Sequence, residues 1–407
     1  MIEIDDRRGV RSTINGVHWS NSEIPLPEKI IALTTTPFDK FRLSRSIRRV
    51  SDGKDTDEAD RYAYLGLRDR TGRASTTAAI FRALEGLFEA SRSSDERRHG
   101  IADVFAFLGY LPRIEVRYDF ALGRGRRLLE QLVTGEQIEK ILYEAPPLRQ
   151  RRPIDRLRYN PVALEEVREV GQEVLARLTD GRGINLLADF DGRTRDDDLF
   201  RRIQLLRRLD LVHMASVEVQ RSQDNAVLDL RLASSGELGI VTGFLGVASV
   251  ISRNSLVFVD EPEISLHPEW QARYVELLTS TFARFGGCHF VLATHSPIIL
   301  SDINPAAANV VSLDPERRKA ESASGFAGKS YDFLLATAFD EPGNNNLYIK
   351  EEIIKALRLA ADGQIKSTEF VDTLAALSEF LPRLDTESPV ARLIAELHEA
   401  ASLEEMS

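Results

Sequence analysis

At 407 residues, with 43% hydrophobic and 29% charged residues, the chain is long enough for two or three domains, or for one with a large insertion, and its composition is that of a globular protein. A net charge of −10 argues against nucleic-acid binding over the whole surface and leaves room for local basic patches. No apolar run reaches the roughly eighteen residues a membrane span needs, Met1 to Asp6 is acidic where a secretion signal would be basic, and the lone Cys288 excludes an internal disulfide; these features predict a cytoplasmic protein with no membrane partner.

In chain order, Ile30 to Leu33 reads as a strand that ends in a Thr-rich turn and Pro37-Phe38-Asp39, and Tyr62 to Leu67 as a second short strand. From about Thr76 to Asp210 the pattern turns helical, as in Leu164 to Leu175, with Pro146-Pro147 and Pro153 dividing it into several helices. Arginines cluster at Arg124 to Arg127, Arg149 to Arg152, Arg201-Arg202 and Arg207-Arg208, which genome composition explains as readily as phosphate recognition. Strands return at Val217 to Val219 and Val227 to Leu230, followed by a buried helix over about Ser235 to Ser252. Leu256 to Val259 and Phe290 to Ala293 are apolar throughout and enclose the helix-like Trp270 to Phe285, the pattern of parallel strands buried on both faces. Cys288 sits at the mouth of the second of these strands, and beyond Tyr331 the chain reads as mostly helical.

The chemistry gathers at the ends of those two strands. Leu256-Val257-Phe258-Val259 runs into Asp260-Glu261-Pro262-Glu263, which places carboxylates where open α/β sheets bind ligands. Asp260 suits the shell of a magnesium ion, and Glu261 suits the polarising of a water that attacks a γ-phosphate; an acidic turn after a core strand is the plainer alternative. The second strand ends in Thr294-His295-Ser296-Pro297, with His295 placed 35 positions after Asp260 and able to donate a hydrogen bond to a γ-phosphate. Upstream, in Ser234-Ser235-Gly236-Glu237, Ser235 and Gly236 stand at a helix start, where backbone N–H groups, a hydroxyl and the dipole can receive phosphate, or where the segment is a simple N-cap.

In this order and spacing, Ser-Ser-Gly-Glu, Val-Asp-Glu-Pro-Glu-Ile-Ser-Leu-His-Pro and Thr-His-Ser-Pro resemble the ABC-type ATPases of the RecF/SMC/OLD branch over about residues 225–300. The resemblance implies an α/β fold: an ABC-type ATPase head with a mainly parallel sheet and a large helical insertion. It assigns Ser234, Ser235, Gly236 and Glu237 to the signature motif, Val257 to Glu261 to the Walker B strand, Ser265 to Pro268 with His267 to the D-loop, and His295 to the switch histidine. Thr36 to Phe41, Tyr62 to Gly66 and Ser330 to Asn344 are similar to ATPases of bacterial anti-phage systems of the Septu and retron-linked kind. The implied cofactors are ATP and Mg2+, with Glu261 and His295 as catalytic residues and Asp260 at the metal. The implied domains are an incomplete first lobe over 1–75, a helical insertion over 76–215, a second lobe over 216–330 and a helical region over 331–407.

The sequence departs from the family pattern in the first lobe. No G-x-x-x-x-G-K-[ST] loop occurs; Gly328-Lys329-Ser330 has Ala323 where the first glycine belongs and follows the switch histidine. No glutamine precedes Gln131, so the Q-loop residue is missing from the first lobe. The chain opens near the strand that normally follows the Walker A helix, which predicts a missing N-terminal segment, with true loss of the loop as the alternative. The expected partners are a second ATPase head in a homodimer or higher oligomer, a separate nuclease or other effector, and DNA. The competing expectation is a non-hydrolysing scaffold that binds protein or nucleic acid.

Overall fold

The computed structural model describes residues 2–5, 9–14, 17–19, 27–43, 61–69, 71–91, 95–121, 124–136, 157, 160–178, 181–192, 196–313, 320–343 and 345–405. Arg149 to Arg152, Pro146-Pro147, Pro153 and Asn344 lie outside them. The chain divides into two compact units, one of residues 1–260 and 281–293, the other of residues 261–280 and 294–407.

The first unit opens with an antiparallel meander, β1 (Ile2–Asp5), β2 (Gly9–Ile14) and β3 (Val17–Trp19). Its parallel sheet takes β4 (Ile30–Thr34) and β5 (Tyr62–Leu65) from the N-terminal quarter. It takes β10 (Leu256–Asp260) and β11 (His289–Ala293) from much later in the chain. The order is β11-β10-β4-β5 and every pairing is parallel, as the continuous apolar runs predict.

One face of this sheet carries Ile31, Leu33, Val257 and Val259, all buried, and meets a long apolar helix (Ser235–Val250). Gly243 permits the approach: a Cβ there would stand 3.2 Å from Leu33 Cδ1, tighter than side chains normally tolerate. Phe282 stacks between Phe244 of the helix and Phe290 of β11, with ring centroids 6.0 and 6.3 Å away. The other face differs from expectation at β11, where His289, Val291 and Ala293 are exposed and Val291 keeps 39% of its surface. An apolar run alone cannot distinguish a central strand from an edge strand, and β11 is one of the two edge strands of this sheet among the described residues.

The stretch from Thr76 to Asp210 supplies the expected helices, α1 (Thr76–Ser91), α2 (Asp95–Phe107), α3 (Gly125–Thr134), α4 (Pro161–Ala176) and α5 (Asp197–Arg208). It also supplies two strands that helical periodicity does not predict, β6 (Tyr110–Phe120) and β7 (Gly183–Asp189). In β6 the alternation Ile114-Glu115-Val116-Arg117-Tyr118-Asp119-Phe120 has period two, with Ile114, Val116, Tyr118 and Phe120 buried on one side. These strands join β8 (Val212–Arg221) and β9 (Val227–Asp229) in an antiparallel sheet of order β7-β6-β8-β9. Helix α1 packs on the long apolar helix, here α6, at Gly86, where a Cβ would meet Ser249 Oγ at 2.1 Å. From α2, Arg97 donates to the carbonyls of Ser249 and Ile251, both at 3.1 Å, and so occupies acceptors that the end of α6 leaves open.

The second unit is mainly helical. It holds α7 (Pro268–Ala272), most of α8 (Tyr274–Phe282), α9 (Pro297–Ser301) and a hairpin of β12 (Asn309–Val311) and β13 (Ala320–Ser322). Four more helices follow: α10 (Tyr331–Thr337), α11 (Leu347–Ala361), α12 (Thr368–Phe380) and α13 (Pro389–Glu405). The last three bury Ile349, Ile353, Phe370, Leu377 and Ile394 in one cluster. Ser330, Asn346 and Ser367 cap their helices by accepting from the backbone N–H three residues on.

Candidate functional site

Leu256 to Asp260 are strand-forming residues ended by a carboxylate, and the parallel register sets Asp260 beside Thr34 of β4 and Ala293 of β11. Asp260 therefore stands at the C-terminal edge of the sheet, the edge that binds ligands in open α/β folds. A strand-end carboxylate supplies the hard oxygen that magnesium accepts. Among the described residues no group of three or more His, Cys, Asp or Glu side chains is arranged to hold a metal ion, so an ion here would complete its shell from water and a bound anion.

The next residue, Glu261, has φ +47° and so lies in the left-handed region. For a residue with a Cβ this costs on the order of 1–2 kcal/mol, and strain of this kind collects at functional positions. The chain then turns tightly. Ile264 N–H donates to Glu261 O at 3.2 Å and Leu266 N–H to Glu263 O at 3.0 Å, with Ser265 again left-handed at φ +67°. Leu266 is buried at the base of the turn while Ile264, Ser265 and His267 are exposed. His267 caps α7, its Nδ1 accepting from Glu269 N–H at 3.4 Å.

Within the second unit this turn and residues 294–296 are joined by hydrogen bonds. Glu263 uses both carboxylate oxygens: Oε1 accepts from His295 N–H at 2.6 Å and Oε2 from Thr294 Oγ1 at 2.9 Å. Ser296 N–H donates to Thr294 Oγ1 at 3.0 Å, and Ser296 Oγ donates to Gln271 Oε1 at 2.8 Å. Gln271 Nε2 donates to the carbonyls of Leu266 at 3.1 Å and Glu263 at 3.4 Å. The buried Tyr274 hydroxyl is pushed well above its usual range, first by burial and then by the charge of Glu263. The His295 ring projects into solvent, 85% exposed, with Nε2 3.7 Å from Glu261 Oε1. That is ion-pair range and too long for a hydrogen bond.

The start of α6 in the first unit forms a complete capping box. Glu237 N–H donates to Ser234 Oγ at 3.3 Å, and Glu237 Oε2 accepts from Ser234 N–H at 3.2 Å and Ser234 Oγ at 2.9 Å. The Ser234 hydroxyl and the Glu237 carboxylate thus hold each other, with Arg221 3.9 Å from Glu237. Ser235 and Gly236 occupy the first two helical positions, whose N–H groups have no acceptor within a helix. Gly328-Lys329-Ser330 has a local role: Gly328 turns with φ +70°, Lys329 Nζ lies 5.2 Å from the Phe333 ring centroid, and Ser330 caps α10.

Two groups carry more than their sequence positions suggest. Glu263 and Gln271 are the first, legible only as part of Asp-Glu-Pro-Glu and as a polar helix residue. The second is Asp39, in the turn after β4, whose side chain is fully buried. Arg68 grips it through Nη2 to Oδ1 at 2.5 Å and Nε to Oδ2 at 3.1 Å, and Tyr64 donates to Oδ2 at 2.9 Å. Arg82 lies over the Tyr64 ring, 5.2 Å from its centroid. This buried pair fixes the turn after β4, next to the strand that ends in Asp260.

The profile of the family described as "AAA domain, putative AbiEii toxin, Type IV TA system" matches residues 72–301 of this chain, more than half of it. That span includes Ser234 to Glu237, Asp260, Glu261 and His295. The chain is similar to "Retron Vc95 probable ATPase" of Vibrio cholerae serotype O1 biovar El Tor, 30% identical over 104 residues, which is 25% of this chain and 19% of the relative. It is similar also to "Protein ea59" of Escherichia phage lambda, 31% identical over 80 residues, 20% of this chain and 15% of that protein. The chain thus spans less than a fifth of the length of either relative by these matches. Among the described residues no helix is long and apolar enough to cross a membrane.

Proposed function

From the premise that the chain belongs to this AAA-domain family, we propose that it supplies the hydrolytic half of an ATPase site of the RecF/SMC/OLD type, in a bacterial anti-phage or DNA-maintenance system. The observation that carries this reading is the pairing of the left-handed Glu261, directly after the strand-end Asp260, with the exposed His295 ring 3.7 Å from its carboxylate.

In this reading Asp260 holds the magnesium that accompanies ATP. Glu261 accepts a hydrogen bond from a water and orients it, as a general base near the reacting phosphoryl group does. His295 is exposed enough to reach a γ-phosphate and donate to it. ATP with magnesium, when bound, supplies the phosphoryl group that passes to water. The amides of Ser235 and Gly236 serve a nucleotide held by a second head, so the working unit is a dimer or higher oligomer. Residues 76–215 form the insertion that senses DNA or holds an effector, and a nuclease, where one acts, is a separate chain. The name of the retron relative supports placing this ATPase in a defence setting.

The test is ATP turnover by the full-length polypeptide that contains this sequence, beside its Glu261→Gln variant. Turnover should fall about a hundredfold or more in the variant while its thermal stability stays within about a degree, since a general base contributes roughly 10²–10⁴-fold. Equal rates in the two proteins overturn the assignment of Glu261. A second reading, a scaffold that does not hydrolyse ATP, is favoured by the lack of a G-x-x-x-x-G-K-[ST] loop in these 407 residues. Failure of the full-length polypeptide to bind ATP would select it.

A further inference from the structure

We propose that Glu263 is a positioning residue that sets where His295 stands, an inference that rests on the reading of His295 as the group that meets the γ-phosphate. The His295 ring is 85% exposed, so packing does not determine its place. Its position follows from its backbone, and that backbone is held at the N–H by Glu263 Oε1 at 2.6 Å. The second oxygen of the same carboxylate holds the preceding residue through Thr294 Oγ1 at 2.9 Å. A charged acceptor that takes two donors from adjacent residues fixes both the height and the rotation of that segment. Hydrogen bonds to an ionised group are the stronger class.

The clamp has a second arm. Gln271 accepts from Ser296 Oγ at 2.8 Å and donates to the carbonyls of Leu266 and Glu263, so residues 294–296 are tied at both ends to the turn 261–267. Glu261 lies on that same turn. The restraint that places the histidine and the restraint that places the carboxylate are therefore one body, and the 3.7 Å separation of His295 Nε2 from Glu261 Oε1 is a property of that body. Glu263 itself touches no reacting group in this scheme.

The experiment compares Glu263→Ala, Glu263→Gln and Thr294→Val in the full-length polypeptide, reading ATP turnover and amide hydrogen exchange at His295. Glutamine can still accept from His295 N–H, and its amide can donate to Thr294 Oγ1, so it should restore most of what alanine removes. Alanine should lower kcat about tenfold or more with KM for ATP within about twofold, and should speed exchange at the His295 amide by about tenfold, because the loss of a charge-assisted bond frees that backbone. Thr294→Val, which keeps the shape but deletes the bond to Glu263 together with the one that Thr294 Oγ1 accepts from Ser296 N–H, leaves the His295 N–H bond to Glu263 in place and should give a smaller change at the His295 amide. Exchange at His295 that is unchanged in Glu263→Ala overturns the proposal. If exchange responds but no variant and no wild-type protein hydrolyses ATP, the clamp stands and the ATPase reading fails. If turnover depends on Glu261 but not on Glu263, the ATPase reading stands and the positioning role fails.

Discussion

The first unit contains two four-stranded sheets made from similar residues, and they treat their polar groups differently. The antiparallel sheet alternates buried and solvent-facing positions along β6, and its buried polar atoms are satisfied internally: Tyr118 accepts from Gln204 Nε2 at 3.0 Å, and burial pushes its hydroxyl up to about 12. Beside it Phe88 and Phe200 stack with centroids 3.9 Å apart. The parallel sheet buries one face under α6 and then delivers Asp260 to its C-terminal edge, where the chain enters left-handed backbone at Glu261. One sheet is arranged for stability. The other gives up some local stability at the strand end where the acidic groups gather.

Substitutions in the two sheets should separate these roles. Phe200→Ala removes a fully buried ring and should cost about 3–5 kcal/mol in denaturant unfolding, with turnover per folded molecule unchanged. Asp39→Ala removes the buried carboxylate to which Arg68 and the Tyr64 hydroxyl donate in the turn after β4, and should cost about 3 kcal/mol by the same measurement. Glu261→Gly should act in the opposite direction, raising stability by roughly 0.5–1 kcal/mol because glycine enters the left-handed region freely, while turnover is lost. A loss of stability in that variant would mean that the strain at Glu261 is not what the backbone angle implies. Val291→Thr lies on the open face of β11 and should change stability by less than about 0.5 kcal/mol; a larger loss would show that this face is covered in solution.

Much of the parallel sheet was legible without coordinates. Apolar runs at Leu256 to Val259 and Phe290 to Ala293 announce parallel strands because both continue without alternation, and β4, residues 217–219 of β8, β9 and α6 were readable from their apolar residues. Within the stretch 76–210, β6 and β7 were missed because they lie among strongly periodic helices, and a period-two segment of seven residues is easily lost there. Sequence could not show that β11 is an edge, since strand order depends on which other strands pair with it. The polar groups follow the same division. Asp260, Glu261 and His295 stand out because each breaks an apolar pattern at a strand end, whereas Glu263 and Gln271 acquire their role only from what they face.

Sequence alone determined which side chains end the two strands, and that no phosphate loop of the expected form lies in these residues. Local chemistry and spacing suffice for such features, because they involve neighbours along the chain. Tertiary structure decided that residues 294–296 hang on Glu263, that Asp39 is buried under Arg68, and that Glu261 is held in a conformation its side chain disfavours. Each of these depends on groups brought together from distant parts of the sequence, or on a backbone angle that the surrounding turn imposes.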